Sequence, residues 1–211
     1  FDLGVILVFG SRTVYQTISP FFFNDTATTE IYTTGVLSLA IVLLSGAVVG
    51  SVLGLQGYIT LVRFGAEQSL GSVVGLSLVR EFGPVLTALL VAGRAGSAVA
   101  AEIGAMVATE QFDGLRMMSV DPVDFVAQPK ALALLISMPL LSALFIVFGL
   151  AGGYVVGVGL LGIDGGTYIT NLERNITFSD EVVGSVLKSV VFGALVALIS
   201  TWRGFTSAPN S

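Results

Sequence analysis

Four ionisable residues interrupt an otherwise apolar stretch of this 211-residue chain, and they define much of the chemistry open to it. They are Arg80, Glu81, Arg94 and Glu102. Such a group costs about 2.5–3.5 kcal/mol inside a bilayer, so it usually faces a bundle interior or a wet cavity. Guanidinium and carboxylate groups in that setting bind a charged ligand or pair with each other. The pattern favours a membrane transport machine over a passive anchor.

The residues that are missing exclude several kinds of site. The chain contains no histidine and no cysteine, which removes the commonest general base, the thiolate nucleophile and the commonest metal ligands. The net charge of -5 argues against a nucleic-acid surface, whose expected footprint is a basic patch. We therefore expect no catalytic residues, no metal site and no cofactor within this chain.

Hydropathy predicts the elements that position these charges. The chain is 54% hydrophobic and 11% charged, whereas a soluble domain is about 25% charged. A helix needs about 20 residues to cross the hydrocarbon. The apolar runs predict an all-α membrane protein, a single bundle over 1–211, with about four spans at 36–62, 71–105, 131–160 and 182–202. Residues 1–18 read either as an interfacial helix or as a frayed terminus.

Basic residues predict the orientation of the spans, because lysine and arginine are enriched on the cytoplasmic side. If the loop 109–130 is cytoplasmic, four basic residues lie inside and two lie outside. The inner ones are Arg12, Arg116, Lys130 and Arg203, and the outer ones are Arg63 and Arg174.

Small residues recur every four positions and predict close helix packing. One ridge lies in the first span at Gly46, Gly50 and Gly54, and Gly153 and Gly157 repeat the spacing in the third. The second span carries two parallel ridges, which predict neighbours on more than one side. They are Ala92, Gly96, Ala100, Gly104 and Ala108, and beside them Gly93, Ser97, Ala101 and Ala105.

The segment 20–33, PFFFNDTATTEIYT, has neither a membrane pattern nor a convincing amphipathic face. It looks like the peptide obtained when sequencing-adapter DNA is translated. Two interpretations stay open: a non-native insertion, with native sequence resuming near Gly35, or an ordinary polar elbow before the first span.

Four stretches carry a resemblance to a known family. They are GVLSLAIVLLSGAVVGSVLGLQGY (35–58), LVREFGPVLTALLVAGRAGSAVAAEIGAM (78–106), ATEQFDGLRMMSVDP (108–122) and LKSVVFGALVALIS (187–200). Together they resemble the MlaE family, the permease subunits of ABC transporters that move phospholipids between the membranes of diderm bacteria and help to maintain outer-membrane lipid asymmetry.

The resemblance implies a multi-pass protein of the inner membrane that forms a homodimer. It also implies two cytoplasmic ATPase subunits that bind ATP and magnesium, a periplasmic MCE-domain protein, often a STAS-domain protein, and a phospholipid substrate. The family pattern continues into a fifth span after a Gly- and Thr-rich stretch. We therefore expect this chain to be a fragment without that last helix.

A lipid cleft at the dimer axis is implied by the same resemblance. Its expected acyl-chain contacts are Leu53, Leu61 and Phe64, with Arg80, Glu81 and Phe82 beside them. Arg80 would hold a phosphate or pair with an acidic neighbour, and Lys188 would face the cavity or snorkel outward. Arg94 and Glu102 are expected to make structural interhelical pairs.

A short helix at 108–119 is predicted to couple the permease to the ATPase. Thr109 is placed to cap it, and Asp121-Pro122 to stop it. Phe112, Leu115 and Met118 form a stripe that is expected to dock in a groove. The predicted coupling residues are Glu110, Gln111, Phe112, Asp113, Leu115 and Arg116.

Two other classes of function stay open. A non-transporting membrane scaffold explains the small-residue ridges, but not a buried Arg80–Glu81 pair. An ion-coupled secondary carrier would use the charges as a relay, and such carriers usually show inverted repeats.

Overall fold

A computed structural model describes residues 25–206, and this part of the chain is helical without strands. Its four long helices are α1 (Thr28–Val62), α2 (Glu67–Ala108), α4 (Phe125–Leu160) and α6 (Asp180–Thr206). Two short helices, α3 (Gln111–Met117) and α5 (Gly165–Asn175), lie between them in sequence. Each long helix has the length and composition to cross a membrane. The predicted all-α membrane architecture with four spans is confirmed.

The observed helices extend beyond the predicted spans. Helix α1 begins at Thr28 rather than at 36, and α4 begins at Phe125 rather than at 131. The prediction followed the apolar runs, whereas a helix continues into the polar residues that flank such a run. The predicted interfacial helix at 1–18 lies outside the described residues.

Wide π-type turns interrupt the long helices. They occur at Tyr32–Val36, Leu78–Phe82, Ala92–Gly96, Val123–Ala127, Val155–Leu160 and Phe178–Val182. Such turns are rare and are frequently found at functional sites. Two of them contain the arginines of α2 that the sequence singles out, Arg80 and Arg94.

The chain divides into two compact units, and each long helix contributes to both. Among the described residues, the first unit comprises 25–38, 91–138 and 191–206. Its core contains Val91, Ile103, Ala127, Leu134 and Met138. The second unit comprises Leu39–Leu90 and Pro139–Val190, with a core of Val42, Leu70, Leu78, Phe145 and Tyr168.

Glycines bring α1 and α4 into backbone contact within the second unit. A Cβ atom on Gly50 would lie 1.8 Å from the carbonyl oxygen of Gly149, and one on Gly46 would lie 2.7 Å from that of Phe145. A Cβ on Gly54 would meet Gly153 at 3.2 Å. The ridge predicted in the first span is therefore confirmed as a packing surface.

The two ridges of α2 differ in the first unit. Gly96 is buried, and a Cβ there would lie 3.4 Å from a methyl group of Val196 in α6. Gly93, Ser97 and Ala101 of the second ridge are exposed, and a Cβ on Gly93 would meet nothing within 4 Å. Within the described chain, only the first ridge packs as predicted.

Helix α5 was not predicted from the sequence, which placed only a connection between the spans 131–160 and 182–202 there. Asp164 caps the helix, because its Oδ2 accepts hydrogen bonds from the Thr167 N–H at 2.7 Å and from the Thr167 hydroxyl at 2.9 Å. These bonds hold the pKa of Asp164 below its ordinary value. Tyr168 anchors α5 beside Gly71, and burial raises the pKa of its phenol to about 12. An acidic cap before apolar residues spaced by four was the available signal.

The segment predicted to be non-native is partly described. Residues 25–27 are helical and lead into α1, which includes residues 28–33, and the Glu30 carboxylate lies 2.6 Å from the Lys130 ammonium. Residues 20–24 lie outside the described part. The origin of this segment stays a hypothesis.

Candidate functional site

Two wide turns hold a charged pair in the second unit: Leu78–Phe82 lies within α2, and Phe178–Val182 lies where α6 begins. Arg80 donates through Nε and Nη2 to the two carboxylate oxygens of Glu181, which is a bidentate ion pair. The Glu181 side chain is only 8% exposed, whereas that of Arg80 is 56% exposed. Glu181 therefore fixes the guanidinium in orientation while one side of it stays open.

Lys188 adds a second pair next to the first. Its ammonium donates to Glu81 at 3.2 Å and to the carbonyl oxygen of Arg80 at 2.7 Å. Arg80, Glu81, Glu181 and Lys188 together form what we call the charged cluster. It carries two positive and two negative groups, which suits a zwitterionic ligand.

Arg80 does pair with an acidic residue, but the partner is Glu181 rather than Glu81, and the side chains of Arg80 and Glu81 are 56% and 67% exposed rather than buried. Neighbouring residues on a helix point in different directions and do not face each other. Arg80 instead pairs with Glu181, which lies 101 positions later in the sequence. The sequence analysis found Arg80, Glu81 and Lys188 but missed Glu181. The seven-residue spacing of Glu181 and Lys188, which puts both on one helix face, was the available signal.

The remaining predicted lipid contacts also belong to the second unit. Leu53 and Leu61 of α1 are half-buried, whereas Phe82 is exposed and Phe64, just after α1, is 79% exposed. Their role as acyl-chain contacts stays a prediction.

The other two charges of α2 make structural contacts in the first unit. Arg94 donates to the Ser38 hydroxyl at 2.8 Å, so its expected interhelical pair is a hydrogen bond to α1. Glu102 accepts from Lys130 of α4 at 2.7 Å, which confirms an interhelical pair. Lys130 is only 3% exposed. It is therefore a buried residue of α4 rather than part of the 109–130 loop that the sequence predicted.

Helix α3 confirms the centre of the predicted 108–119 helix and corrects its ends. Ala108 belongs to α2, and the Thr109 hydroxyl donates back to Ala105 at 2.8 Å, so Thr109 does not cap α3. The cap position falls on Glu110, which has a left-handed φ of 57°.

Helix α3 ends at Met117, before the predicted stop. Asp121 instead serves the start of α4, because its Oδ1 accepts from the Val123 N–H at 2.9 Å.

The two faces of α3 have different surroundings. Phe112 is buried, and its ring centroid lies 5.0 Å from that of Phe205 in α6. Leu115 is half-buried, whereas Met118, the third residue of the predicted stripe, is 67% exposed. The predicted stripe therefore does not form one docking face, because Phe112 packs on α6 of this chain and Met118 is exposed. Of the predicted coupling residues, the exposed ones are Glu110, Gln111, Asp113 and Arg116.

Comparison with known families matches residues 27–211 to the model described as Permease MlaE. The chain belongs to the MlaE permease family. A relative from Haemophilus influenzae, the intermembrane phospholipid transport system permease protein MlaE, is 49% identical over 182 residues. That alignment covers 86% of this chain and 70% of the relative.

Two further relatives come from another bacterium and from a plant. A probable ABC transporter permease protein of Rickettsia bellii is 38% identical over 210 residues, covering 100% of this chain and 81% of the relative. The chloroplastic protein TRIGALACTOSYLDIACYLGLYCEROL 1 of Arabidopsis thaliana is 34% identical over 178 residues, covering 84% of this chain and 51% of the relative. The MlaE match includes the charged cluster and α3.

Proposed function

We propose that this chain is the permease subunit of an ABC transporter that moves phospholipids between the inner and outer membranes and so helps to maintain outer-membrane lipid asymmetry. The observation that carries the proposal is the MlaE match over residues 27–211, together with 49% identity to a relative named for intermembrane phospholipid transport. The four apolar helices support it, because a permease must be a multi-pass membrane protein.

The energy for transport comes from a separate cytoplasmic ATPase, which binds ATP and magnesium. Helix α3 is the proposed contact with this subunit, because Gln111, Asp113 and Arg116 are exposed while Phe112 holds the helix on α6 through Phe205. A displacement of α3 by the ATPase would be transmitted to α6 through the contact between the Phe112 and Phe205 rings. The assembly further comprises a second copy of the permease and a periplasmic MCE-domain protein, and often a STAS-domain protein.

The charged cluster is the proposed site for the lipid headgroup. Arginine has five N–H donors in a planar fork, and Glu181 engages Nε and Nη2 of Arg80. The exposed remainder of the guanidinium is available to a phosphate oxygen, and Lys188 adds a second positive charge beside it. Leu53, Leu61, Phe64 and Phe82 are the proposed contacts for the acyl chains.

Reconstitution of the full-length permease with its ATPase in liposomes tests the function. We expect transfer of a fluorescent phospholipid that requires ATP and stops when the catalytic residues of the ATPase are replaced. Transfer driven by an ion gradient alone would instead identify a secondary carrier. A complex that hydrolyses ATP and binds lipid without transferring it would identify a scaffold.

A further inference from the structure

A small apolar cavity of about 180 Å³ lies among α2, α4 and α6 in the second unit. Its lining residues come from these three helices and not from α1, which carries the predicted cleft residues Leu53 and Leu61. Its lining includes residues directly next to the charged cluster, because Val79 precedes Arg80 and Val182 follows Glu181. Other lining residues are Ser142, Ala143, Val147 and Ser189.

Irregular backbone and small side chains create this cavity. Val79 and Val182 lie in the two wide turns that hold the charged cluster, and Pro139 lies within α4 at the cavity wall. Proline removes a helical hydrogen bond and disturbs the turn before it. Protein interiors are otherwise packed as densely as organic crystals. A gap bordered by irregular turns from two helices and a proline from a third is therefore suited to an occupant.

One wall of the cavity carries a hydroxyl group without a partner. Ser142 is 1% exposed, and its Oγ makes no hydrogen bond. The neighbouring Ser189 differs, because its hydroxyl donates to the Ser185 carbonyl at 2.7 Å. A buried hydroxyl without a partner is unfavourable. An occupant that brings a single acceptor into an apolar space would satisfy it.

We propose that this cavity binds part of an acyl chain of a membrane phospholipid whose headgroup lies at the charged cluster. The inference rests on the proposed transport of phospholipids and adds a second chain-binding site to it. A phospholipid fits on three grounds: its chains are apolar, its ester carbonyl supplies the acceptor for Ser142, and its phosphate complements Arg80 and Lys188. A cavity of about 150 Å³ lined by apolar groups is known to bind a molecule the size of benzene, so this one holds a chain segment.

The test uses the full-length permease in liposomes that contain a phosphatidylethanolamine with a photoreactive diazirine on one acyl chain. We expect light to attach the lipid to peptides covering 139–147 and 182–189. The variant Ala143→Leu fills the cavity and should lose this labelling. The matched control is Ala151→Leu, the same change at an exposed position of the same helix, which should keep it.

A second variant keeps the test valid if Ala143→Leu prevents the protein from folding. Val147→Phe changes a lining residue that is already exposed, so it should narrow the cavity, reduce the labelling and leave thermal unfolding unchanged. Labelling that is spread over all exposed apolar faces and insensitive to both variants would overturn the proposal and indicate surrounding bilayer lipid only.

Transport measured on liposomes that also contain the ATPase and receive ATP separates the two hypotheses. Labelling confined to the cavity in a permease that transfers no lipid overturns the proposed function and leaves this inference standing. Transfer that continues normally without labelling at the cavity overturns this inference alone.

Discussion

Arg80 combines a fixed geometry with an open face. Glu181 holds it from the buried side by two hydrogen bonds, and Lys188 is tied to the Arg80 backbone. The side chain is 56% exposed, so N–H donors that Glu181 does not engage remain accessible. This arrangement suits the proposed headgroup site, because the orientation of the guanidinium is set before a ligand binds.

Arg80→Ala should therefore reduce phospholipid transfer and lipid-stimulated ATP hydrolysis much more than it reduces stability. The pair is half exposed, so we expect a stability loss below the roughly 3–5 kcal/mol that breaking a fully buried pair costs. Arg63→Ala, which changes an exposed arginine outside the charged cluster, is the control. The measurement is transfer per folded complex in liposomes, with thermal unfolding followed in parallel. Normal transfer per complex together with a large loss of stability would leave Arg80 a structural residue.

Most of the charged residues of the site could be predicted from the sequence, but the partner of each could not. Charges such as Arg80 and Lys188 are conspicuous in apolar spans, so the sequence identified them directly. Which carboxylate meets Arg80 depends on the rotation of α2 against α6, and helices that are apolar all round give no periodic signal for that rotation. Ser142 was missed for a similar reason, since serine is common in membrane helices and only its lack of a partner distinguishes it.

At the scale of elements, the crossing of α1 and α4 depends on the absence of side chains. The carbonyl oxygen of Gly149 occupies the place where a Cβ of residue 50 would lie. Small residues allow this approach, which drives helix association in a membrane through van der Waals contact.

Gly50→Ala should consequently force the two helices apart and lower the free energy of unfolding by about 1–3 kcal/mol or more. The matched control is Gly93→Ala, whose added Cβ meets nothing within 4 Å. There we expect a neutral effect or a gain of up to about 1 kcal/mol from helix propensity. Unfolding in detergent with added denaturant measures both. Equal effects of the two changes would show that the crossing is not set by Gly50.

Helix α5 should respond to pH through its cap. The pKa of Asp164 is lowered in the folded state because the Thr167 N–H and hydroxyl donate to the charged carboxylate. Its contribution is thus present above the ordinary carboxyl pKa and is lost as the pH falls through the lower, folded value.

Because the chain has no cysteine, a spin label at Glu173→Cys can report on α5 alone. We expect the label to become more mobile on acidification and to be mobile at every pH in Asp164→Ala. A label that is equally immobile in both proteins would contradict a role for the cap.

The four long helices could be predicted from the sequence, whereas the short helices α3 and α5 were predicted only in part or not at all. Long apolar runs marked all four spans, even where charged residues interrupt them, because the hydrocarbon core imposes a minimum length on a span. In α5, Tyr168 and Leu172 lie among polar residues, and no such minimum length applies. Helix α3 was predicted near its true position, but its cap was assigned to Thr109, whose hydroxyl in fact completes α2.

At the scale of the whole molecule, the proposed coupling requires that a movement of α3 is transmitted to the long helices. Coupling should therefore fail when the exposed acidic face of α3 is reversed. We expect a full-length Glu110→Lys, Asp113→Lys variant to stay folded and to hydrolyse ATP without moving lipid. Glu67→Lys and Glu173→Lys together give the same charge change away from α3 and should transport normally. Unchanged transport in the α3 variant would remove this helix from the coupling path.

The distance along the chain between Arg80 and Glu181 has a consequence for how the protein is made. Ribosomes add about 5–20 residues per second. Because Glu181 follows Arg80 by 101 positions, it is synthesised roughly 5–20 s after Arg80. During that time α2 carries an unpaired charge that disfavours its release into lipid by about 2.5–3.5 kcal/mol. We therefore expect α2 to remain at the insertion machinery until α6 emerges, so that the last described span completes the membrane integration of the second.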